Sequence, residues 1–422
     1  MSNRRGFLQK LSASFLASGV FIGNLSAALQ KSVIDHSLSE ADFWEEIRKG
    51  FPLTRERIYM NNGTFGPAPF QVSQAMNDCL EEINRSGEYG HFDQERVLLA
   101  SFLGVGTDEL SLTHNTTEGI NIMVWGLPLQ KGDEVILTTH EHVGNGLPWL
   151  NRSKLDGIVL RTFEPQDTQE QNLEKIKKLI NSKTKVIAVP HVTCTTGLVF
   201  PIKEIAELAK SKGVYTAIDG AHGAGTFDLN ITELGCDFYA GCFHKWMLGP
   251  AGTGFLYVKK ELLDELQAIQ VGGYSDAGWD MTSKPPVLHG LNPTAHRYDY
   301  GTQSRALYVG VAAAAKFHLE IGKAKVESRI RELNDHVYDG LQAMGSKIQI
   351  LTPSEKSARI AMISFKSDSL DYKKLGSELA KEGFRIRQVP ESGVNAIRVS
   401  THIYNSKAEI DDLIKAIEKQ LG

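Results

Sequence analysis

The sequence has few cysteines and none in a metal-binding pattern. Its 422 residues include four, Cys79, Cys194, Cys236 and Cys242. No two of them form the Cys-x-x-Cys spacing of zinc and redox sites, and their spacing does not suggest a disulfide scaffold. We therefore expect no structural metal, and we interpret most of these thiols as small buried residues.

Concentrated positive charge is also absent. The net charge is −4, and lysine and arginine form no run beyond local pairs. Because binding to phosphate backbones needs a basic surface, we expect no nucleic-acid partner. The composition, 41% hydrophobic and 23% charged, is that of an ordinary globular protein. A chain of this length is long enough for a large core and more than one domain.

The first 28 residues have the pattern of an export signal. Arg4 and Arg5 precede a modestly apolar stretch, which Gly19 and Gly23 interrupt, and small residues follow at 26–28. The stretch is too short and too rich in glycine for a stable membrane span. It resembles a twin-arginine signal, which predicts export of the folded protein to the periplasm or beyond. The alternative is a chance arginine pair before a weak anchor helix.

Strands and helices alternate from about residue 110. Three β-rich runs end in polar residues, at 133–142, 184–193 and 213–222, and an amphipathic helix at 201–213 separates the last two. This alternation predicts a mostly parallel sheet with helices on both faces. Ligands of such sheets bind at the carboxyl ends of the strands. The polar residues at these ends are His142, His191, Asp219 and His222.

The second part of the chain has a different character. A long helix is predicted at 306–322, and helices and short strands follow it. We predict four parts: the signal at 1–28, a segment at 29–60 that packs with the small domain, a large cofactor-binding domain at 61–305, and a small α+β domain at 306–422.

A lysine in an apolar segment needs an explanation. Residues 240–258, AGCFHKWMLGPAGTGFLYV, place Lys245 beside His244 in surroundings that otherwise resemble a core. A buried lysine loses its charge more readily than an exposed one, and the neutral amine condenses with aldehydes. Pyridoxal phosphate carries such an aldehyde. Asp219 could keep its pyridine nitrogen protonated, and the helix start at residues 115–118 could bind its phosphate.

Each of these residues also has a simpler interpretation. A lysine in an apolar segment is usually a surface residue, and most helix starts such as the one at 115–118 bind nothing. Asp219 with His191, His222 and His244 could instead form a metal site. Only the agreement of the lysine, the carboxylate and the helix start favours the cofactor.

Eight motifs in order connect the chain to a known family. They are IYMNNGTFGPAP, NTTEGIN, THEHVGN, PHVTCTTGLVFPI, DGAHGAG, FHKW, YGTQS and IRVSTHIYNS. The chain resembles the class V aminotransferases, fold-type-I pyridoxal-phosphate enzymes, and most closely their isopenicillin N epimerase-like branch. The resemblance implies a large α/β/α domain with a mostly parallel sheet and a smaller C-terminal α+β domain.

The resemblance also implies roles for single residues. Lys245 would bind the cofactor aldehyde and move protons at Cα, and Arg398 would bind the carboxylate of an amino-acid substrate. Asp219 would pair with the pyridine nitrogen. The other implied cofactor contacts are His142 stacked on the ring, His222 at the phenolic oxygen, Thr116, Thr117 and His244 at the phosphate, and Thr302 at the phosphate of a partner subunit in a homodimer.

The departures from the family pattern shape the expected function. Cys194 and Cys242 stand where desulfurases carry better hydrogen-bond donors. No cysteine follows Cys242, so residues 383–398 lack the mobile thiol of a cysteine desulfurase. We therefore expect an epimerase-like or aminotransferase-like enzyme acting at Cα of an amino acid or small peptide, and not a desulfurase. The alternatives are a C–S lyase that works by β-elimination and a non-catalytic binding protein.

Overall fold

A computed structural model describes residues 34–54 and 56–422. The predicted signal at 1–28 lies outside these residues. Within the described ranges, no helix combines the length and the apolar character that crossing a bilayer requires.

A seven-stranded sheet forms the centre of the molecule. Its strands are β2 (Leu110–Thr113), β3 (Glu134–Thr138), β4 (Val159–Phe163), β5 (Thr184–Ile187), β6 (Tyr215–Asp219), β7 (Phe238–Cys242) and β8 (Gly254–Val258). They follow the order β2-β8-β7-β6-β5-β3-β4. Only β8 runs antiparallel to its neighbours, β2 and β7. The fold class is therefore confirmed as α/β with a mostly parallel sheet.

Helices cover both faces of this sheet, and four of its strands are buried along their whole length. Every residue of β2, β3, β7 and β8 is buried. The helices before and between these strands are α1 (Glu40–Lys49), α2 (Phe70–Ser86), α3 (Asp93–Leu103), α4 (Thr116–Gly126), α5 (Val143–Asp156), α6 (Gln169–Leu179), α7 (Ile202–Lys212) and α8 (Ile231–Leu234).

The predicted helix between two of the strands is confirmed as α7. Its Ile202, Ile205, Ala206 and Ala209 are buried on one face. The chain leaves the helix at Gly213 with a φ of 64°, a left-handed conformation that favours glycine.

A second sheet lies in the C-terminal part. Antiparallel strands β11 (Gln349–Ile350), β12 (Met362–Lys366), β15 (Ala396–Ser400) and β14 (Arg387–Val389) form it in that order. Four helices belong to this part: α9 (Arg305–Ile321), α10 (Lys323–Gln342), α11 (Tyr372–Lys381) and α12 (Lys407–Leu421). The remaining strands form two small pairs, β1 (Ile58–Tyr59) with β13 (Phe384–Arg385) and β9 (Trp279–Asp280) with β10 (Val287–Leu288).

The segment before the large sheet contacts the C-terminal part. β1 pairs in parallel with β13, and Met60 packs in the same apolar cluster as residues of α10, α11 and α12. The long helix predicted at 306–322 is confirmed as α9. The limits of the four predicted parts stay a prediction.

Candidate active site

A cavity of about 250 Å³ opens at the carboxyl ends of β6 and β7, beside the first turn of α4. The predicted residues among its lining are Thr116, Thr117, His142, Asp219, His222, His244, Lys245 and Arg398. The structure thus brings together residues from widely separated parts of the sequence.

Lys245 lies in the turn after β7, and a glycine from a distant loop packs against its backbone. The Gly66 N–H donates to the carbonyl of His244, with an N···O distance of 2.8 Å. A Cβ atom at position 66 would lie 1.9 Å from the carbonyl oxygen of Lys245, so only glycine fits. Asn62 Nδ2 donates to the same oxygen at 3.4 Å. The N-terminal motif therefore positions the turn that carries the lysine.

Asp219 ends β6 with its side chain in the cavity. It is 5% exposed, and its Oδ1 accepts a hydrogen bond from the Ala221 N–H at 3.0 Å. The carbonyl oxygen of Asp219 accepts from the His191 N–H at 2.9 Å. These two bonds fix the backbone and the carboxylate, so the charge is held in place before any ligand binds.

His222 lies close to Lys245 and is fully enclosed. Its Nε2 lies 3.5 Å from Lys245 Nζ. On the other side of the ring, Trp246 Nε1 donates to His222 Nδ1 at 2.9 Å. Burial holds the pKa of His222 well below its ordinary value, and the nearby charge of Lys245 acts in the same direction. His222 is therefore a neutral group.

The start of α4 forms the predicted anion site. Asn115 Oδ1 accepts from the Glu118 N–H at 2.9 Å, which confirms the predicted N-cap. The Glu118 carboxylate does not complete a capping box, because its Oε2 accepts from the backbone and ring nitrogens of His114. Buried Thr116 Oγ1 and His244 Nδ1 have no hydrogen-bond partner among the described residues. Two unpartnered polar atoms beside a helix N-terminus fit a phosphate group.

His142 borders the cavity as the N-cap of α5. Its Nδ1 accepts from the Gly144 N–H at 3.0 Å. Burial lowers the pKa of His142, and the charge of Lys245 lowers it further. The ring therefore favours the neutral form.

A half-buried carboxyl group next to His142, that of Glu141, was not predicted. Glu141 Oε1 accepts from the backbone and the hydroxyl of Thr138, at 2.9 and 2.8 Å, and its Oε2 accepts from Asn145 Nδ2 at 2.7 Å. Burial raises the pKa of Glu141 to about 7. Glu141 thus connects the end of β3 to the first turn of α5, which carries His142. No spacing in the sequence distinguishes this glutamate from a surface one.

Arg398 is the buried cation of the cavity. It is 1% exposed, and its Nη1 donates to the carbonyl of Cys194 at 2.6 Å. Its Nη2 donates to Thr64 Oγ1 at 3.1 Å. Burial and the nearby Arg387 lower the pKa of Arg398 to about 10. Its Nε is buried and has no partner among the described residues, so a donor remains for a ligand.

A second arginine in the cavity was missed by the sequence reasoning. Arg387 of β14 lies directly opposite Arg398 of β15 in the antiparallel register, and it lines the same cavity. Glu391 forms an ion pair with it. Two guanidinium groups side by side favour a ligand with more than one negative charge. No sequence pattern predicts this pair of arginines, because it depends on how two strands align.

The two cysteines that depart from the family pattern both line the cavity. Burial raises the pKa of Cys194. Burial also acts to raise that of Cys242, but the neighbouring His244 ring and the charge of Lys245 outweigh it and lower the pKa. The Cys242 thiol donates weakly to the carbonyl of Ala221 at 3.5 Å.

Two of the predicted residues, His191 and Thr302, lie outside the cavity. His191 is not in the cavity lining, since its Nδ1 lies 2.9 Å from Tyr239 Oη and its ring stacks on Phe227. Thr302 is exposed in a separate cleft that also contains Tyr89. Across residues 34–54 and 56–422, no three histidine, cysteine, aspartate or glutamate side chains are grouped to hold a metal ion.

The residues of the cavity fit pyridoxal phosphate. An amine, a fixed carboxylate and an unpartnered anion site surround one space, and these are the three features that the cofactor requires. Lys245 would hold its aldehyde carbon, Asp219 its pyridine nitrogen, and Thr116, Thr117 and His244 its phosphate.

Curated relatives cover nearly the whole chain. It is 27% identical to a probable cysteine desulfurase of Pyrococcus abyssi, over 89% of this chain and 97% of the relative. A cysteine desulfurase of Haloferax volcanii is 31% identical, over 86% and 89% of the two chains. The isopenicillin N epimerase of Streptomyces clavuligerus is 28% identical, over 90% and 98%.

Solved structures show the same fold. The apo cysteine desulfurase from Thermococcus onnurineus NA1 aligns with a TM-score of 0.80 at 25% identity, over 89% of this chain and 98% of that one. The cystine C–S lyase C-DES, in complex with its reaction product cysteine persulfide, also aligns with a TM-score of 0.80. It is 26% identical, over 87% of this chain and 98% of that one.

These relatives contradict the function expected from the sequence. We expected an epimerase-like or aminotransferase-like enzyme and excluded a cysteine desulfurase, but desulfurases and a C–S lyase predominate among the relatives. The epimerase is one relative among several. The exclusion of a desulfurase was wrong, because one missing thiol in residues 383–398 does not outweigh similarity to desulfurases over most of the chain.

A family model settles the classification. The model for class-V aminotransferases matches residues 74–413, which include every predicted site residue. Relatives and solved structures of the same family cover most of the described chain. The chain is therefore an enzyme of the class-V aminotransferase family, and its cofactor is pyridoxal phosphate.

Proposed function

We propose that the protein is a C–S lyase that cleaves the Cβ–S bond of a cysteine-derived amino acid. The observation that carries this proposal is a cavity in which Lys245, Asp219 and Arg398 surround one space. Support also comes from the similarity to cysteine desulfurases and to a cystine C–S lyase.

The three residues have separate tasks. Bound pyridoxal phosphate supplies an electron sink for the carbanion at Cα. Arg398 binds the α-carboxylate of the substrate and thereby fixes the orientation of Cα. Lys245 Nζ removes the Cα proton, and Asp219 keeps a proton on the ring nitrogen by its negative charge. Burial holds the pKa of His222 well below its ordinary value, so its ring is a weaker base than a free imidazole.

Cleavage by β-elimination needs no thiol of the protein. The Cβ–S bond breaks with both electrons leaving on sulfur, and a proton then neutralises the released thiolate. For cystine, the balanced reaction consumes one water and yields pyruvate, ammonia and cysteine persulfide. Arg387 lines the same cavity as Arg398, so it is placed to bind a second carboxylate or a thiolate of the substrate.

Product analysis tests this proposal. The loaded protein is incubated with L-cystine and, separately, with L-cysteine, and pyruvate, ammonia and sulfur products are measured. We expect equal amounts of pyruvate and ammonia together with a persulfide or sulfide, and none of them from a Lys245→Ala variant. A keto acid that retains sulfur, or a substrate changed only in its configuration at Cα, would contradict the proposal.

The substrate is a small molecule, and we further propose that the enzyme acts as a homodimer. Thr302 is exposed, outside the cavity of its own chain, and lies in a cleft with Tyr274 and His91. In a dimer it would reach the cofactor phosphate of the partner. Sedimentation equilibrium should give twice the chain mass. A monomer that binds the cofactor fully would contradict this arrangement.

We also propose that Arg4 and Arg5 direct export of the folded, loaded protein by the twin-arginine pathway. Cell fractionation of an Arg4→Lys, Arg5→Lys variant should find the protein retained in the cytoplasm. An unchanged location would exclude this route.

A further inference from the structure

The hydrogen bond between Trp246 and His222 defines which ring nitrogen of the histidine carries its proton. An indole N–H can only donate, so His222 Nδ1 must be an unprotonated acceptor in the 2.9 Å contact. A neutral imidazole then carries its one proton on Nε2. This Nε2 is the atom that lies 3.5 Å from Lys245 Nζ.

Trp246 cannot easily turn away from this contact. Its side chain is fully buried, and its ring stacks on His402 with a centroid distance of 5.7 Å. His402 Nε2 donates to the carbonyl of Trp246 at 2.8 Å, since His402 Nδ1 accepts from the Ile403 N–H. His402 thus restrains Trp246 twice, by stacking on its indole ring and by a hydrogen bond to its backbone carbonyl.

The charges around His222 act against a second proton on its ring. Burial is the largest cause that lowers the pKa of His222, and the charges of Lys245 and Arg398 act in the same direction. Among the described residues that line the cavity, Asp219 carries the one negative charge that faces these cations. The indole acts in the same direction, because protonation of Nδ1 would remove the acceptor of its hydrogen bond.

We propose that Trp246 is a positioning residue that holds His222 in its Nε2–H tautomer. His222 then presents a hydrogen-bond donor to the cofactor and to Lys245, and it presents no basic nitrogen that could compete with Lys245 for the Cα proton. The proposal depends on the cofactor site and is independent of which bond the enzyme cleaves.

The tautomer can be measured directly in the protein without cofactor. Protein labelled with ¹⁵N-histidine is studied by long-range ¹H–¹⁵N correlation, and the signals that vanish in His222→Gln identify His222. The wild type should show an unprotonated Nδ1 and a protonated Nε2. In Trp246→Phe, loss of one hydrogen bond should shift the tautomer ratio about tenfold toward Nδ1–H. Trp149→Phe, which also removes a buried indole donor, is the matched control and should leave the His222 signals unchanged.

A second measurement separates positioning from packing. In the loaded protein, Trp246→Phe should shift the pH midpoint of the cofactor absorbance, whereas the same change in a His222→Gln background should not. If Trp246→Phe does not fold, benzothienylalanine at position 246 keeps the ring shape and removes only the N–H. Wild-type tautomer signals in these variants, or an equal absorbance shift without His222, would overturn the proposal.

Discussion

Replacement of Arg398 by lysine tests how the cavity recognises a carboxylate. The guanidinium is fixed by bonds to the Cys194 carbonyl at 2.6 Å and to Thr64 at 3.1 Å, and its Nε remains free for a ligand. A lysine cannot reproduce this planar arrangement. A hydrogen bond between charged groups contributes about 1.5–3 kcal/mol, so loss of one at the upper part of this range weakens binding about 30- to 150-fold.

The assay compares L-cysteine with cysteamine, which lacks the carboxylate. Each is titrated into the loaded protein while the cofactor absorbance is followed. The wild type should prefer cysteine by about the same 30- to 150-fold factor, and Arg398→Lys should lose most of this preference. Arg359→Lys is the matched control, because Arg359 is equally buried and bonds Asp335 and a backbone carbonyl outside the cavity. A preference that survives in Arg398→Lys would refute the assigned role.

Three further changes test other parts of the site. Glu141 keeps its proton up to about pH 7 when folded, against 4.5 for the free group, so its contribution to stability falls as the pH rises between these values. The Glu141→Gln variant should lose some stability at every pH, because its amide group faces Asn145 Nδ2. The melting temperature of the variant relative to wild type should nevertheless rise from pH 5 to pH 8. A difference in melting temperature that stays constant over this range would contradict the raised pKa of Glu141. Gly66→Ala places a methyl group against the Lys245 carbonyl and should lower both the melting temperature and cofactor retention, whereas Gly273→Ala meets open space and should change neither. Asp219→Asn should retain the cofactor but slow exchange of the substrate Cα proton with deuterium by about 10²-fold or more, as followed by NMR; an unchanged rate would remove Asp219 from its role.

The sequence predicted the parts of the fold that depend on local pattern. Apolar runs that end in polar residues correctly predicted the parallel strands and the edge of the sheet at which the cavity lies. The Asn115 cap and the Gly213 helix end were likewise readable from residue type alone. These features involve neighbours along the chain, so no tertiary contact is needed to predict them.

Features that depend on tertiary contacts were not predictable. His191 stands at a strand end as expected, but Tyr239 and Phe227 hold its ring outside the cavity. The pairing of Arg387 with Arg398 requires the register of two antiparallel strands. The predicted function was wrong for a related reason. The absence of one thiol was given more weight than the similarity of the whole chain to desulfurases.

One measurement tests the central claim that Lys245 is the residue that binds the cofactor. The loaded protein is reduced with borohydride, which fixes the cofactor to the amine that holds it, and peptides are then identified by mass spectrometry. The structure predicts one phosphopyridoxyl group per chain, on the peptide that contains Lys245, and none there after Lys245→Ala. Stoichiometric labelling of a different lysine, or no labelling of a fully loaded protein, would contradict the account.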